Sequence, residues 1–151
     1  ALTNCRIVPQ WHFAKLFHGN YDGIISPDAG AAKKAEKWGQ ILRIPVFVAR
    51  KSRDPKTGLL SGFHCDTEQM LPDGDYLIVD DICDGGRTFM GLADFIKTRM
   101  PTVTLGLFVT HGIFSKGFEE LDKRFAHIWS TDSFKSSTIV CDIHSVGEYL
   151  I

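Results

Sequence analysis

At 151 residues, 44% of them hydrophobic, the chain is long enough to bury one sizeable core and too short to divide comfortably into two. A formal net charge of −1 gives no electrostatic reason to expect nucleic acid or an anionic membrane as partner, so any affinity for phosphate must come from local groups. No apolar stretch approaches the roughly 20 residues that span a bilayer, the first residues lack a signal-peptide plan, and Cys5, Cys65, Cys83 and Cys141 form neither metal-ligand pairs nor a disulfide framework; the chain reads as cytoplasmic, with reduced thiols.

Residues 9–18 carry Trp11, Phe13, Ala14, Leu16 and Phe17 and read as a short helix packed on a sheet, with Gly19 as its stop. A strand is expected over 23–26, a helix over 29–42 and a strand over 46–49. The stretch 50–75 breaks this rhythm with Asp54, Pro55, Thr57, Gly58 and Gly62, then Pro72, Asp73 and Gly74, and is expected to be a mobile loop containing a hairpin. Beyond it come a strand over 76–79, a helix over 88–97, a strand over 103–110, a helix over 114–124, a short strand over 126–129 and a last helix from Ser145. Strand alternating with helix predicts one α/β domain over 1–151, a doubly wound, mainly parallel sheet flanked by helices.

The most informative segment runs from Tyr76 to Thr88. An apolar strand ends in Asp80 and Asp81, and Asp84-Gly85-Gly86-Arg87-Thr88 then forms a turn into an amphipathic helix bearing Phe89, Leu92, Ala93 and Ile96. Such a turn aims backbone N–H groups at an anion, the glycines let the backbone close around it, and Thr88 adds a hydroxyl. Ionised Asp80 and Asp81, at the carboxyl edge of the strand, suit the vicinal hydroxyls of a ribose. An acidic residue followed by glycine often marks a plain surface turn; the buried strand before it and the helix after it favour the phosphate loop.

Elsewhere, Arg50-Lys51-Ser52-Arg53 places three cations in four residues, and charge alone leaves a solvated turn and a cationic cover over the sheet edge equally open. Asp28 can be an ordinary helix N-cap. Lys33, Lys34 and Lys37 read as a solvated helix face, His111 as a neighbour of the site, and Cys83 as a space-filler. The remaining histidines show no transition-metal spacing.

On these residues the chain resembles a known family. Asp80 to Thr88 resembles the ribose-5-phosphate signature of the phosphoribosyltransferase fold, shared by phosphoribosyltransferases and phosphoribosyl pyrophosphate synthetases. Ser26-Pro27-Asp28-Ala29-Gly30 resembles the synthetases' S-P-D-x-G motif, Thr110-His111-Gly112-Ile113-Phe114-Ser115 their T-H-G-I-F-S segment, and Ser130-Thr131-Asp132-Ser133 their short T-D-T element. Gly85 and Arg87 depart from the synthetase pattern, which usually has threonine and glycine there; several phosphoribosyltransferases tolerate a basic residue at the second position.

The resemblance implies the C-terminal half of a longer ribose-phosphate diphosphokinase, which transfers diphosphate from ATP to ribose 5-phosphate with Mg2+. It implies that Asp84, Gly85, Gly86, Arg87 and Thr88 hold the 5-phosphate, and that Asp80 and Asp81 hold the ribose hydroxyls or their metal. Asp28 is then a further carboxylate near the metal, and Lys51 and Arg53 match the Lys-x-Arg element of the catalytic loop. It further implies a homo-oligomer whose ATP pocket draws on another half and on neighbouring subunits, so that this chain binds ribose 5-phosphate but turns over poorly. Two other expectations stand beside it: a free-standing phosphoribosyltransferase that joins a nucleobase to phosphoribosyl pyrophosphate, and a non-catalytic regulatory paralogue.

Overall fold

The computed structural model describes residues 9–17, 20–53, 56, 60–133 and 142–144, with the backbone alone at 53, 60, 61 and 142–144. Six parallel strands form the central sheet: β1 (Gly23–Ser26), β2 (Val46–Val48), β5 (Asp75–Cys83), β6 (Thr104–Gly112), β7 (His127–Thr131) and β8 (Asp142–His144), in the order β2-β1-β5-β6-β7-β8. A separate antiparallel hairpin pairs β3 (Arg50–Arg53) with β4 (Leu60–His64). Among the described residues three α-helices accompany them: α1 (Ala32–Leu42), α2 (Arg87–Arg99) and the single turn α3 (Glu119–Asp122). The expected doubly wound sheet and the expected hairpin are both present.

Each face of the sheet has its own core, as a parallel sheet requires. On one face Leu77, Val79 and Phe108 meet α1 through Ala35 and Trp38, and meet the 3-10 helix Gln10–Phe17 through Phe13 and Phe17. Trp38 is fully buried, its ring 4.9 Å from Phe108 and 5.5 Å from Phe17. On the other face Ile78, Leu105 and Leu107 meet α2 through Phe89, Leu92 and Ile96. Burial of each such side chain contributes about 1.5–3 kcal/mol, and the two cores clamp β5 at the centre of the sheet. The hairpin lies on α2, where Phe63 packs 6.4 Å from Phe95, ring to ring, over Gly91.

Several boundaries differ from expectation for physical reasons. The strand expected over 76–79 runs on to Cys83, because pairing with β6 continues through Asp80↔Val109, Ile82↔His111 and Cys83↔Gly112; neighbours on the sheet outweigh aspartate's poor strand propensity. The helix expected over 29–42 begins at Ala32, after a turn in which Asp28 Oδ1 accepts the Ala31 N–H at 3.1 Å. The helix expected over 114–124 shrinks to one turn, since Phe114 (φ 47°) and Gly117 (φ 76°) are left-handed. Strand β8 was not anticipated. The expected helix from Ser145, the stop at Gly19, and Asp54, Pro55, Thr57 and Gly58 lie outside the described residues.

Candidate functional site

The chain steps from β1 to β2 on one side, while β5 flanks β1 on the other, so the crevice at the carboxyl ends of β1 and β5 is the topological switch point where open α/β sheets take ligands. Asp28 follows β1, and Asp80 and Asp81 lie toward the carboxyl end of β5, so residues 52 positions apart face one crevice. They are close enough that Asp28 and Asp81 both disfavour ionisation of Asp80. Burial is the larger cause, and together these raise the Asp80 carboxyl above its usual range against the opposing pull of the Asp81 N–H, which donates to Asp80 Oδ1 at 2.8 Å, and of Lys34.

Two lysines meet these carboxylates. Lys34 of α1 pairs with Asp81 Oδ2, and Lys51 of β3 donates to Asp28 Oδ2 at 3.0 Å. Burial pushes the Asp28 carboxyl up, but the hydrogen bond from Lys51 and those from the Ala31 and Gly30 N–H groups outweigh it and leave the pKa lowered. Lys51 thus ties the hairpin to the loop after β1. Asp28 does not cap α1 as an N-cap residue would; the N-cap position is Ala31, and no side chain caps it. Lys34 corrects the reading of Lys33, Lys34 and Lys37 as one solvated face. Its signal was present: position 34 lies on the stripe of buried Ala31, Ala35 and Trp38, which faces the sheet. The Arg53 side chain lies outside the described residues.

Beside the crevice is a second feature. After β5 the chain turns through Asp84 and Gly85 to Gly86, whose φ of 72° is left-handed, and enters α2 with no side chain capping its first N–H groups. Around this turn is a hollow of about 330 Å3 lined by Asp84, Gly85, Gly86, Arg87 and Thr88, with Ser115 and Lys116 opposite. All five residues expected to hold a phosphate therefore line one hollow at the positive end of a 13-residue helix. Sequence reasoning missed Ser115 and Lys116 as part of it. The segment 110–115 reaches the hollow because the Ile113 and Phe114 N–H groups both donate to the Cys83 carbonyl, at 2.9 and 3.1 Å.

His111 lies apart from the hollow's lining and shares a hydrogen bond of 2.7 Å between Nδ1 and Ser133 Oγ, while Thr131 Oγ1 donates to the Thr110 carbonyl at 2.6 Å. Cys83 is fully buried among apolar neighbours, as a filler would be.

Mg2+ prefers oxygen donors and is commonly held by one or two carboxylates together with substrate phosphates. Among the described residues no three acidic, histidine or cysteine side chains converge into a ready cage. Asp28, Asp80 and Asp81 bring oxygen donors of the kind Mg2+ takes to one crevice, where Asp28 and Asp81 are each paired with a lysine.

Comparison with known proteins bears on the family and the fold. The family model of the phosphoribosyl transferase domain matches residues 2–141. A ribose-phosphate pyrophosphokinase of Mycoplasmopsis pulmonis is 32% identical over 100 residues, covering 64% of this chain; the chain spans 29% of that relative's length. Among solved structures, the phosphoribosylpyrophosphate synthetase of Mycobacterium smegmatis superposes with a TM-score of 0.67 at 20% identity, over 92% of this chain and 44% of the other. The adenine phosphoribosyltransferase of Thermoanaerobacter pseudethanolicus does so with 0.61 at 20% identity, over 79% and 74%. At such identities the two structures speak to the fold.

Proposed function

The chain belongs to the phosphoribosyl transferase domain family, and from that premise we propose that it is the ribose-5-phosphate-binding part of a ribose-phosphate diphosphokinase. The observation that carries the reading is the adjacency of a hollow built on an uncapped helix N-terminus and a carboxylate crevice at the sheet's switch point, which suits a sugar phosphate lying across both. What supports the diphosphokinase branch is the 32% identity to the pyrophosphokinase, together with the T-H-G-I-F-S segment, whose Ser115 lines the hollow.

In this reading the 5-phosphate sits in the hollow against Asp84–Thr88, and Asp80 and Asp81 accept hydrogen bonds from the ribose hydroxyls. The anomeric hydroxyl attacks the β-phosphorus of ATP and AMP leaves, so the protein's share is alignment and charge stabilisation. Lys51 begins paired with Asp28; released from it, the ammonium would be available to the oxygens of the transferring group, with Arg53 as a planar donor fork two residues along the same strand. Mg2+ held by Asp28, Asp80 or Asp81 and the substrate's oxygens would supply further neutralisation of phosphate charge. ATP, supplied in part by another half or subunit, and homo-oligomeric assembly belong to the same proposal.

Calorimetric titration of ribose 5-phosphate with Mg2+ tests it. Saturable binding is expected, weakened by about 100-fold or more in Asp80→Ala/Asp81→Ala, given about 1.5–3 kcal/mol for each hydrogen bond to a charged group. Folded wild-type protein that fails to bind would sink the reading. A nucleobase phosphoribosyltransferase is the second reading, supported by Arg87 at a position where several phosphoribosyltransferases carry a basic residue. Pyrophosphate release from phosphoribosyl pyrophosphate on addition of one nucleobase would establish that alternative.

A further inference from the structure

We propose that Lys116 is a phosphate-binding residue, the cation that tips the hollow at the start of α2 from neutral to anion-selective; this rests on the reading of the hollow as a sugar-phosphate site. The ionisable side chains lining the hollow are Asp84, Arg87 and Lys116. Asp84 and Arg87 cancel, so a phosphate dianion beside the Asp84 carboxylate would meet no net positive charge from side chains, and Lys116 supplies it.

Exposed lysines are ordinarily solvated, but the backbone that carries this one is pinned. The Ile113 and Phe114 N–H groups anchor the turn on the Cys83 carbonyl, and the Gly117 N–H donates to the Phe114 carbonyl at 2.9 Å. The Phe114 and Phe118 rings pack 4.4 Å apart across the turn, and the left-handed Phe114 and Gly117 bracket Ser115 and Lys116. These contacts hold position 116 on the rim of the hollow. The stem lies over the loop itself: a Cβ built on Gly85 would sit 3.5 Å from Lys116 Cγ, so the side chain covers the turn that presents the helix N–H groups.

Its charge is also uncommitted. Lys34, Lys51, Lys123 and Arg124 are all ion-paired, whereas neither Lys116 nor Arg87 has an ion-pair partner among the described residues. A lysine whose backbone is pinned at the rim and whose stem lies over the Gly85 turn, with no ion-pair partner among the described residues, keeps its ammonium available to an anionic guest in the hollow.

The test is calorimetric titration of ribose 5-phosphate into the wild-type chain and into Lys116→Met and Lys116→Arg, at several salt concentrations, with inorganic phosphate as a competing probe. Lys116→Met should weaken ribose 5-phosphate about tenfold, weaken inorganic phosphate in parallel, and flatten the salt dependence, while leaving the melting temperature unchanged. Lys116→Arg should restore most of the affinity, which a purely structural role would not require. Wild-type binding matched within twofold by Lys116→Met would overturn this assignment alone. Absence of binding by the wild type would instead overturn the sugar-phosphate reading, and this assignment with it.

Discussion

The two halves of the candidate site treat charge in opposite ways. In the crevice between β1 and β5 both lysines are paired, Lys34 with Asp81 and Lys51 with Asp28; at the loop before α2, Arg87 and Lys116 have no ion-pair partner among the described residues. A crevice in which Asp28 and Asp81 are already paired with lysines holds together without ligand, and in the proposed reading a cation or a sugar hydroxyl would have to displace a lysine. A loop with unpaired cations and bare N–H groups stands ready for an anion. The contrast teaches that one site can be organised by internal substitution on one side and by pre-formed vacancy of charge on the other.

The loop side should fail most sharply through its backbone. Gly86 combines φ 72° with a Cβ position only 3.1 Å from Leu121 Cδ2, so Gly86→Ala should cost about 1–2 kcal/mol in stability and weaken ribose 5-phosphate binding with it. Thermal melting and titration of the same sample check both, and a fully stable variant that binds normally would show that the left-handed turn is dispensable.

The crevice should reveal itself through pH. Asp28, whose carboxyl is lowered in the fold, contributes stability that is present above the unfolded pKa and lost as pH falls through the folded one. Asp80, whose carboxyl is raised, does the reverse: its contribution is fully present below the unfolded pKa and lost as pH rises through the folded value. Near neutral pH, Asp28→Asn should therefore destabilise, on the order of 0.5 kcal/mol after allowance for solvent screening, and Asp80→Asn should stabilise. Melting curves recorded from acid to neutral pH would contradict the crevice electrostatics if both variants shifted in the same direction.

The smallest effect belongs to the neighbouring glycine. Gly85 has no left-handed φ, and its nearest contact for a new Cβ is ordinary van der Waals contact at 3.5 Å with Lys116 Cγ. Gly85→Ala should stay within about 0.5 kcal/mol of wild type in melting experiments. Adjacent glycines that respond alike would erase the distinction between a turn set by backbone geometry and one set by charge.

Legibility in the sequence followed range. The run from Leu77 through the Gly85-Gly86 turn into α2 announced itself because apolar strand, glycine turn and amphipathic helix are contiguous, and each obeys a local rule. Strand β8 left no such signal: its three residues owe their state to pairing with β7 through Trp129↔Asp142, Ser130↔Ile143 and Thr131↔His144. The one-turn α3 escaped for the opposite reason. An apolar pattern over 114–124 suggested a full helix, but tethering of Ile113 and Phe114 to Cys83 forced left-handed backbone where that helix would have begun. Lys116 was hidden with it, since its place on the hollow depends on that tether.

By itself the sequence determined the alternation of strands and helices and the glycine turn between β5 and α2, both consequences of side-chain periodicity and glycine backbone freedom within a dozen residues. Only the tertiary structure decided which charges meet. Lys34 and Asp81 are 47 residues apart and Asp28 and Lys51 are 23 apart. Their pairing follows from the order β2-β1-β5, which brings the carboxyl ends of separate strands, one helix and a hairpin to a single crevice; no periodicity encodes a contact between elements.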